Sequence, residues 1–272
     1  MSWRWLIALC YLASSLFYFA HLWTQRERFS ALGYNVIIIG TVLHTISLII
    51  VYTRGEAIAG GLDRSLYLFS WFISLVYIVA SRVKPRVLII GAFVAPLALI
   101  LTLPSVILPQ GIIEHDPSLK NPWIVVHIVL TLLGEAIFTF AFIASVLYIF
   151  QEKRIKSKKM GGVSINMPSL TTLDSLNHFC LLVGFPILTI GLALGLLSAK
   201  EIWQSDWNWG HKETWSLVTW FLYAVLIHGR LASGWRGRKA ALGAIVGFGV
   251  ILFTFFVIGY LAPGQHDFLG SY

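Results

Sequence analysis

Long apolar runs separated by short polar segments fill most of the chain. A bilayer core about 30 Å thick needs roughly 20 apolar residues for one helical span. Runs of about this length predict spans at residues 3–23, 33–53, 66–81, 87–108, 123–150, 177–198, 213–231 and 240–262. The runs are continuously apolar, which indicates helices rather than the alternating strands of a closed barrel. We therefore predict an all-α fold, a polytopic membrane helical bundle of about eight transmembrane helices, in a single domain over residues 1–272.

Composition excludes a soluble domain, and charge sets an orientation. Of the residues, 57% are hydrophobic and 12% charged, whereas about a quarter of a soluble domain is charged. Most Lys and Arg fall in alternate loops, at 26–28, 82–86, 153–159 and 230–239, and basic loops favour the cytoplasmic side. Both termini are therefore predicted outside. Anionic lipid at the inner surface accounts for the net charge of +8, so the charge requires no nucleic acid.

The longest polar tract bears on the topology of the chain, and the two cysteines exclude functions that depend on paired thiols. Residues 151–175 are interpreted as a basic inside loop that fixes topology, with contact to a cytosolic partner as the alternative. Cys10 and Cys180 lie in predicted helices, and the sequence contains no C-x-x-C. This excludes a thioredoxin-type oxidoreductase and a cytochrome that attaches haem to its own thiols. The first apolar run lacks a signal-peptide cleavage site and is predicted to be a permanent helix.

A dense tryptophan cluster follows the sixth predicted span, in "IWQSDWNWGHKETWSLVTW" at 202–220. The tryptophans are Trp203, Trp207, Trp209, Trp215 and Trp220. Tryptophans of an interfacial belt sit at helix ends singly or in pairs, as Trp3 and Trp5 do. A cluster this dense favours a ligand platform on the outer side, although Trp220 is far enough into its helix to serve packing alone.

Four histidines separate by depth into two predicted pairs. His127, about 6 Å inside the outer boundary, and His266, after the last helix, form the outer pair. His44 and His228 are expected inside helices, about 16 Å and 8 Å above the inner boundary. Any one of them could simply bond a carbonyl, but intramembrane ionisable residues are candidates for function. Two bis-imidazole sites for haem iron are the functional interpretation, with the tryptophans stacking on the porphyrin.

Four charged residues are candidates for a role at the haem sites. Lys212 or Lys200 could pair with the haem carboxylates at the outer site. Arg230, close to the inner surface, is a candidate partner for a haem propionate or an ordinary positive-inside anchor. Glu135, about twelve residues into the fifth span, either tunes a haem or relays a proton, or it is neutral or paired with a neighbouring helix.

The tryptophan segment, extended to "WQSDWNWGHKETWSLVTWFLYAVLIHGR", resembles the WWD signature of the haem-handling membrane proteins that assemble cytochromes c, of the CcsA or ResC kind. The resemblance extends over nearly the whole chain, through "LHTISL", "LDRSLYLFSW", "WIVVHIVL" and "PGQHDFLGSY". It implies transport of haem b, bound non-covalently, across the membrane and its presentation outside. There, a ResB/CcsB-type partner would help join it to the C-x-x-C-H thiols of an apocytochrome c. The resemblance also implies that His127 and His266 ligate an outer haem, and His44 and His228 a haem within the membrane.

The chain departs from the family pattern W-G-x-x-W-x-W-D-P-K-E at Gln204, Gly210 and His211. His211 could be an alternative ligand, a gate or a solvated loop residue, and the last is favoured. Three functions are therefore compared: a subunit of a cytochrome c haem lyase, a HemX-like regulator of haem biosynthesis, and an unrelated transporter. The joint presence of the four histidines disfavours the transporter. The expected location is the plasma membrane, in preference to a thylakoid-type membrane.

Overall fold

The computed structural model describes residues 2–54, 56, 58–59, 62–83, 89–108, 121–157, 167–203 and 211–254. Regular structure in these residues is helical. The helices are α1 (Ser2–Thr24), α2 (Glu27–Thr53), α3 (Leu62–Val83), α4 (Gly91–Thr102), α5 (Pro104–Ile107), α6 (Pro122–Lys156), α7 (Leu170–Trp203), α8 (His211–Leu231) and α9 (Arg238–Leu252). Pro104 begins α5 directly after α4, and a proline at the first position of a helix loses no helical hydrogen bond.

The all-α membrane fold predicted from the sequence is confirmed. Each of the eight apolar runs contains a helix, and the run at 87–108 contains α4 and α5. Within the described residues α1, α2, α3, α6 and α7 are long and apolar enough to cross a membrane, and Gly91–Ile107 is a shorter apolar segment. The count of eight crossings and the outer position of both termini remain predictions.

The interpretation of residues 151–175 as a loop is wrong at both ends of that segment. α6 continues to Lys156 and α7 begins at Leu170, which leaves only 158–166 outside the described residues. The Lys156 ammonium is 2.7 Å from the Glu152 carboxylate one turn away, a spacing that stabilises a helix. Ser169 Oγ accepts from the Thr172 N–H at 3.2 Å, as an N-cap does. The helices therefore extend past the apolar runs, by 1.5 Å for each added residue.

Contacts divide the chain into two compact units, each described here by itself, and the single domain stays a prediction. Unit 1 comprises Met1–Ile58, Asp63–Gly111 and Ile149–Thr172. In it α1 packs on α2 and α4. A Cβ added to Gly33 would lie 3.0 Å from the Tyr18 ring, and one added to Gly40 would lie 3.0 Å from Cys10 Cβ. Small residues thus allow the close approach of α1 and α2 that membrane helices use in place of hydrophobic exclusion.

Unit 2 comprises Ala59–Leu62, Ile112–Tyr148 and Leu173–Tyr272. Its core contains a stacked pair, Phe138 of α6 and Tyr223 of α8, with ring centroids 3.7 Å apart. The pair is surrounded by leucines of α7 and α8 and by Phe248 and Ile251 of α9. Gly184 of α7 lies against Phe138, where an added Cβ would be 2.7 Å from Cε1.

Replacement of Gly184 should therefore destabilise unit 2. Gly184→Ala would force the buried Phe138 ring away from its stacked position, and overpacking of this kind costs about 1–3 kcal/mol. Gly249→Ala is the matched control, since a Cβ there meets nothing within 4 Å and alanine favours a helix by about 0.5–1 kcal/mol. Thermal unfolding in detergent, followed by circular dichroism, should shift in opposite directions for the two variants. Equal shifts would contradict the packing described for Gly184.

Candidate functional site

His44 lies in α2 with its side chain completely buried in unit 1. The Tyr11 hydroxyl of α1 is 3.0 Å from His44 Nδ1. The Tyr67 ring of α3 has its centroid 3.9 Å from that of the imidazole, and the Tyr67 hydroxyl donates to Ser47 Oγ at 3.0 Å. Residues of three helices therefore fix the position of this ring.

The second ring nitrogen of His44, Nε2, has no hydrogen-bond partner among the residues that the structure describes. A buried polar atom left unpaired costs about 1–3 kcal/mol. A metal-bound histidine holds its other ring nitrogen in a hydrogen bond that fixes the tautomer and orientation. In the tautomer with Nδ1–H donating to the Tyr11 oxygen, His44 Nε2 carries a free lone pair. The residues around His44 therefore fit an axial ligand of haem iron.

His127, near the start of α6, is held by α7 within unit 2. Its Nδ1 donates to the Gly191 carbonyl oxygen at 2.6 Å. Since a carbonyl only accepts, this bond fixes the neutral tautomer and leaves the lone pair on Nε2. A Cβ on Gly195 would lie 2.5 Å from His127 Cε1, so the ring occupies space that only a glycine leaves open. The half-buried His127 imidazole also fits a haem ligand.

The predicted partners of these two histidines are His228 and His266. His228 lies in the last turn of α8, with its side chain at the surface of the protein. His266 lies outside the described residues, and both predicted pairings stay untested.

The tryptophan platform is only partly within the described residues. Trp207 and Trp209 lie outside them, whereas Trp203 ends α7 and Lys212 lies in the first turn of α8, with only their backbone described. The Trp215 ring packs edge-on against Phe253, with centroids 4.7 Å apart. Trp220 donates to Thr189 Oγ1 at 2.9 Å and packs against the core of unit 2, which agrees with its expected packing role.

Arg230 is part of an internal clamp in unit 2. One terminal nitrogen donates to Asp174 Oδ1 at 2.9 Å and to the Trp235 carbonyl at 3.2 Å. The other donates to the Asp174 carbonyl at 2.7 Å and to Asn177 Oδ1 at 2.9 Å. All four terminal N–H groups are therefore used within the chain. This arrangement favours the anchoring interpretation of Arg230 over the propionate interpretation.

Residues 59–266 match the family described as Cytochrome C assembly protein. The chain belongs to this family. It is 31% identical over 230 residues to the cytochrome c biogenesis protein CcsA of Prochlorococcus marinus, covering 76% of this chain and 74% of that protein. It is also 30% identical over 263 residues to CcsA of Guillardia theta, covering 86% of each, and 28% identical over 252 residues to CcsA of Synechococcus elongatus, covering 76% and 77%. This cytochrome c assembly protein is a multi-pass membrane protein with a role in cytochrome c biogenesis, and the HemX-like regulator is not favoured.

Several residues of this assembly protein that position its histidines were not identified from the sequence. They are Tyr11, Tyr67, Gly191 and Gly195. A signal for the glycines was present, because a spacing of four places two small residues on one face of a helix. His21 was also missed; its Nδ1 donates to the Arg26 carbonyl at 3.0 Å. That bond spans five residues and closes the turn between α1 and α2, so it has a local structural explanation.

Glu135 lies within α6. Its backbone carbonyl accepts from Thr139 Oγ1 at 3.0 Å. Both interpretations of Glu135, as a group that tunes a haem or relays a proton and as a group that is neutral or paired with a neighbouring helix, remain predictions.

The clamp at Arg230 predicts a stability effect that depends on burial. Asp174→Ala would leave the Arg230 side chain, 3% exposed, with an uncompensated charge, and the expected loss is about 2–4 kcal/mol. Lys156→Ala is the control, because that lysine is 64% exposed in its pair with Glu152 and should cost about 0.5 kcal/mol or less. Unfolding by increasing denaturant in detergent measures both. If Asp174→Ala lowered the free energy of unfolding as little as Lys156→Ala does, the role of Asp174 in holding the buried Arg230 would be contradicted.

Proposed function

We propose that the chain carries haem b, bound non-covalently, across the membrane and presents it on the outer side for attachment to apocytochrome c. The observation that carries this proposal is the arrangement of His44 and His127. Both imidazoles are held through Nδ1 by a residue of another helix, and in each Nε2 has no partner in the described part of the chain. A purely structural histidine would be expected to use both nitrogens when it is as deeply buried as His44.

His44 would serve as the ligand within the membrane and His127 as the outer ligand. The depth expected for His44 is near the centre of the bilayer, and that for His127 is near the outer boundary, on the topology with both termini outside. His228 and His266 are the proposed second ligands of the two sites. The aromatic residues Trp203, Trp207, Trp209 and Trp215, with Lys212, would surround the outer site; the support for these residues is the family resemblance of their segment.

The covalent step requires thiols that this chain does not supply. Its sequence has no C-x-x-C-H, and its described cysteines, Cys10 and Cys180, lie in α1 and α7. Bound haem supplies vinyl groups to which apocytochrome thiols add. What the chain contributes is the position of that haem. In the proposed complex the chain is a subunit of a cytochrome c haem lyase and acts with a ResB/CcsB-type membrane protein; the support for that partner is the family resemblance.

The membrane in which this function takes place is proposed to be the plasma membrane. The relatives compared above come from cyanobacteria and plastids, so they give no support to this choice over a thylakoid-type membrane.

The absorption spectrum of the detergent-purified protein tests the proposal. Wild-type protein should contain co-purified haem with the spectrum of a b-type centre, partly lost in His127→Ala and in His44→Ala, because each substitution removes one axial ligand. His21→Ala is the matched control, since His21 is also nearly buried and bonded through Nδ1 but closes a local turn. Haem content should stay the same in this control.

The same variants separate haem binding from haem attachment. With a ResB/CcsB-type partner and an apocytochrome co-expressed, covalent haem on the cytochrome should fall in both histidine variants. Unchanged haem content and unchanged attachment in His44→Ala and His127→Ala would exclude these residues as ligands. The absence of haem in wild-type protein purified with its partner would refute the proposed function.

Gly195 offers a test of the outer ligand that leaves His127 in place. Gly195→Ala would put a methyl group in the space of the imidazole, so the ring must rotate away from its bond with Gly191. Loss of such a positioning contact commonly lowers metal affinity by about 10–100-fold. Titration of the purified protein with haem should show this weakening together with a change toward a high-spin spectrum. Gly249→Ala, on an exposed face of α9, should bind haem like the wild type.

A further inference from the structure

A cavity of about 170 Å³ opens in unit 1, at the predicted outer ends of α1 and α2 and beside α5. Its polar lining comes from Arg4, Ser47, Arg54, Glu56 and Ser105, and the Trp3 ring forms part of its apolar wall. The cavity is separate from every residue for which a function was proposed above.

The charges in this cavity favour an anion. Two arginines and one glutamate line it, which leaves a positive balance. Arg4 donates to the Ser105 carbonyl at 3.1 Å, whereas the exposed Arg54 guanidinium has no ion pair or hydrogen bond with another described residue. Guanidinium groups recognise planar carboxylates with paired hydrogen bonds. The negative charge of Glu56 repels an anionic ligand, so the effect of this charge on ligand affinity can be tested separately.

Tyr67 connects the cavity with His44. The Arg4 guanidinium lies over the Tyr67 ring, 5.2 Å from its centroid. The Tyr67 hydroxyl donates to Ser47 Oγ, which lines the cavity, and the same ring lies 3.9 Å from the His44 imidazole, centroid to centroid. Ser47 also follows His44 by three residues in α2, a rise of about 4.5 Å. The cavity therefore begins about one helical turn from the proposed ligand, on its outer side.

The haem carboxylates impose a constraint at this depth. A carboxylate left uncompensated in the apolar interior is very costly, and both propionates of haem lie on one edge of the macrocycle. Arg4 and Arg54 supply cations on the outer side of His44 within the same unit. The clamp at Arg230 uses all of its terminal N–H groups internally, so Arg230 offers no comparable pairing.

We infer that this cavity binds the propionate carboxylates of haem held at His44 and so orients the propionate edge toward the outer surface. This inference rests on the proposed function. An anionic lipid headgroup is the competing occupant. The contact of Tyr67 with both the cavity and His44 favours haem, because a lipid headgroup has no reason to be coupled to the imidazole.

A titration with two porphyrins tests the inference. The protein carries His127→Ala and His266→Ala, which removes the proposed outer ligands, and its dissociation constants are measured from the absorption of bound haem and of haem dimethyl ester. The ester has the same macrocycle and iron but no carboxylate charge. Arg54→Gln should weaken haem binding about three- to tenfold, as expected for one partly exposed charge-assisted contact, and should leave ester binding unchanged.

Two further variants test whether the change in haem affinity follows the sign of the charge removed and whether it is confined to the cavity. Glu56→Gln should strengthen haem binding by about two- to threefold, again without an effect on the ester, because it removes the opposing charge. Arg28→Gln makes the same change of charge at the other end of α2, where Arg28 lies against Phe29, and should alter neither constant. General damage to the fold would weaken haem binding in every variant, so it cannot explain a weakening in Arg54→Gln together with a strengthening in Glu56→Gln.

The outcomes distinguish this inference from the proposed function. If His44→Ala abolishes haem binding but Arg54→Gln leaves the ratio of the haem and ester constants unchanged, the inference is overturned and the proposed function stands. If Arg54→Gln instead lowers the content of co-purified anionic phospholipid with that ratio unchanged, the cavity is a headgroup site and the inference is also overturned. If His44→Ala binds haem like its parent, the proposed ligand fails, and with it the orientation inferred here.

Discussion

The cost of an unpaired polar group in lipid governs both the fold and the candidate site. Hydroxyl groups inside the helices meet this cost locally, by donating to the carbonyl four residues earlier. Ser15, Thr41, Thr45, Ser145 and Thr189 all do so, at distances of 2.6–2.8 Å. An imidazole cannot satisfy both of its nitrogens in this way, because its ring is rigid and its two nitrogens point in different directions. The imidazoles of His44 and His127 therefore depend on residues from other helices.

His44 and Arg230 show two different outcomes of that dependence. The terminal nitrogens of Arg230 donate to acceptors from α7 and from the segment after α8, while its Nε has no partner among the described residues. Asp174 also accepts from the Gly237 N–H at 2.9 Å. The charge of Arg230 is used for structure. Within the described part of the chain, the Tyr11 hydroxyl is the partner of His44 Nδ1 and no group is bonded to Nε2, although the hydroxyl-bearing residues Thr41 and Ser47 lie one turn away on the same helix. Hydroxyl groups are therefore close to His44, but none of those described bonds Nε2, so the lone pair of this nitrogen stays available to a metal, as a ligand site requires.

The sequence predicted the helices well because continuous apolar runs of span length have one stable form in lipid. It located the ends of α6 and α7 poorly, because hydropathy changes at the membrane surface while the helix continues through Glu152 and Lys156 on one side and from Ser169 on the other. His44 and His127 could be selected as ionisable residues in apolar runs. Their partners could not, because Tyr11 and Gly191 are distant in sequence and the contacts depend on how each helix is rotated.

The proposed route for haem depends on a difference between the two histidine environments. His44 is bonded to a phenolic hydroxyl, whereas His127 donates to a main-chain carbonyl, which is a stronger acceptor and makes the imidazole the more basic ligand. His44 is also fully enclosed, while His127 is only half-buried. On the proposed function, haem would therefore move from an enclosed and weaker ligand toward an accessible and stronger one. With the carboxylates of haem already paired with cations on the outer side of His44, the step from His44 to His127 would not carry them through further apolar core.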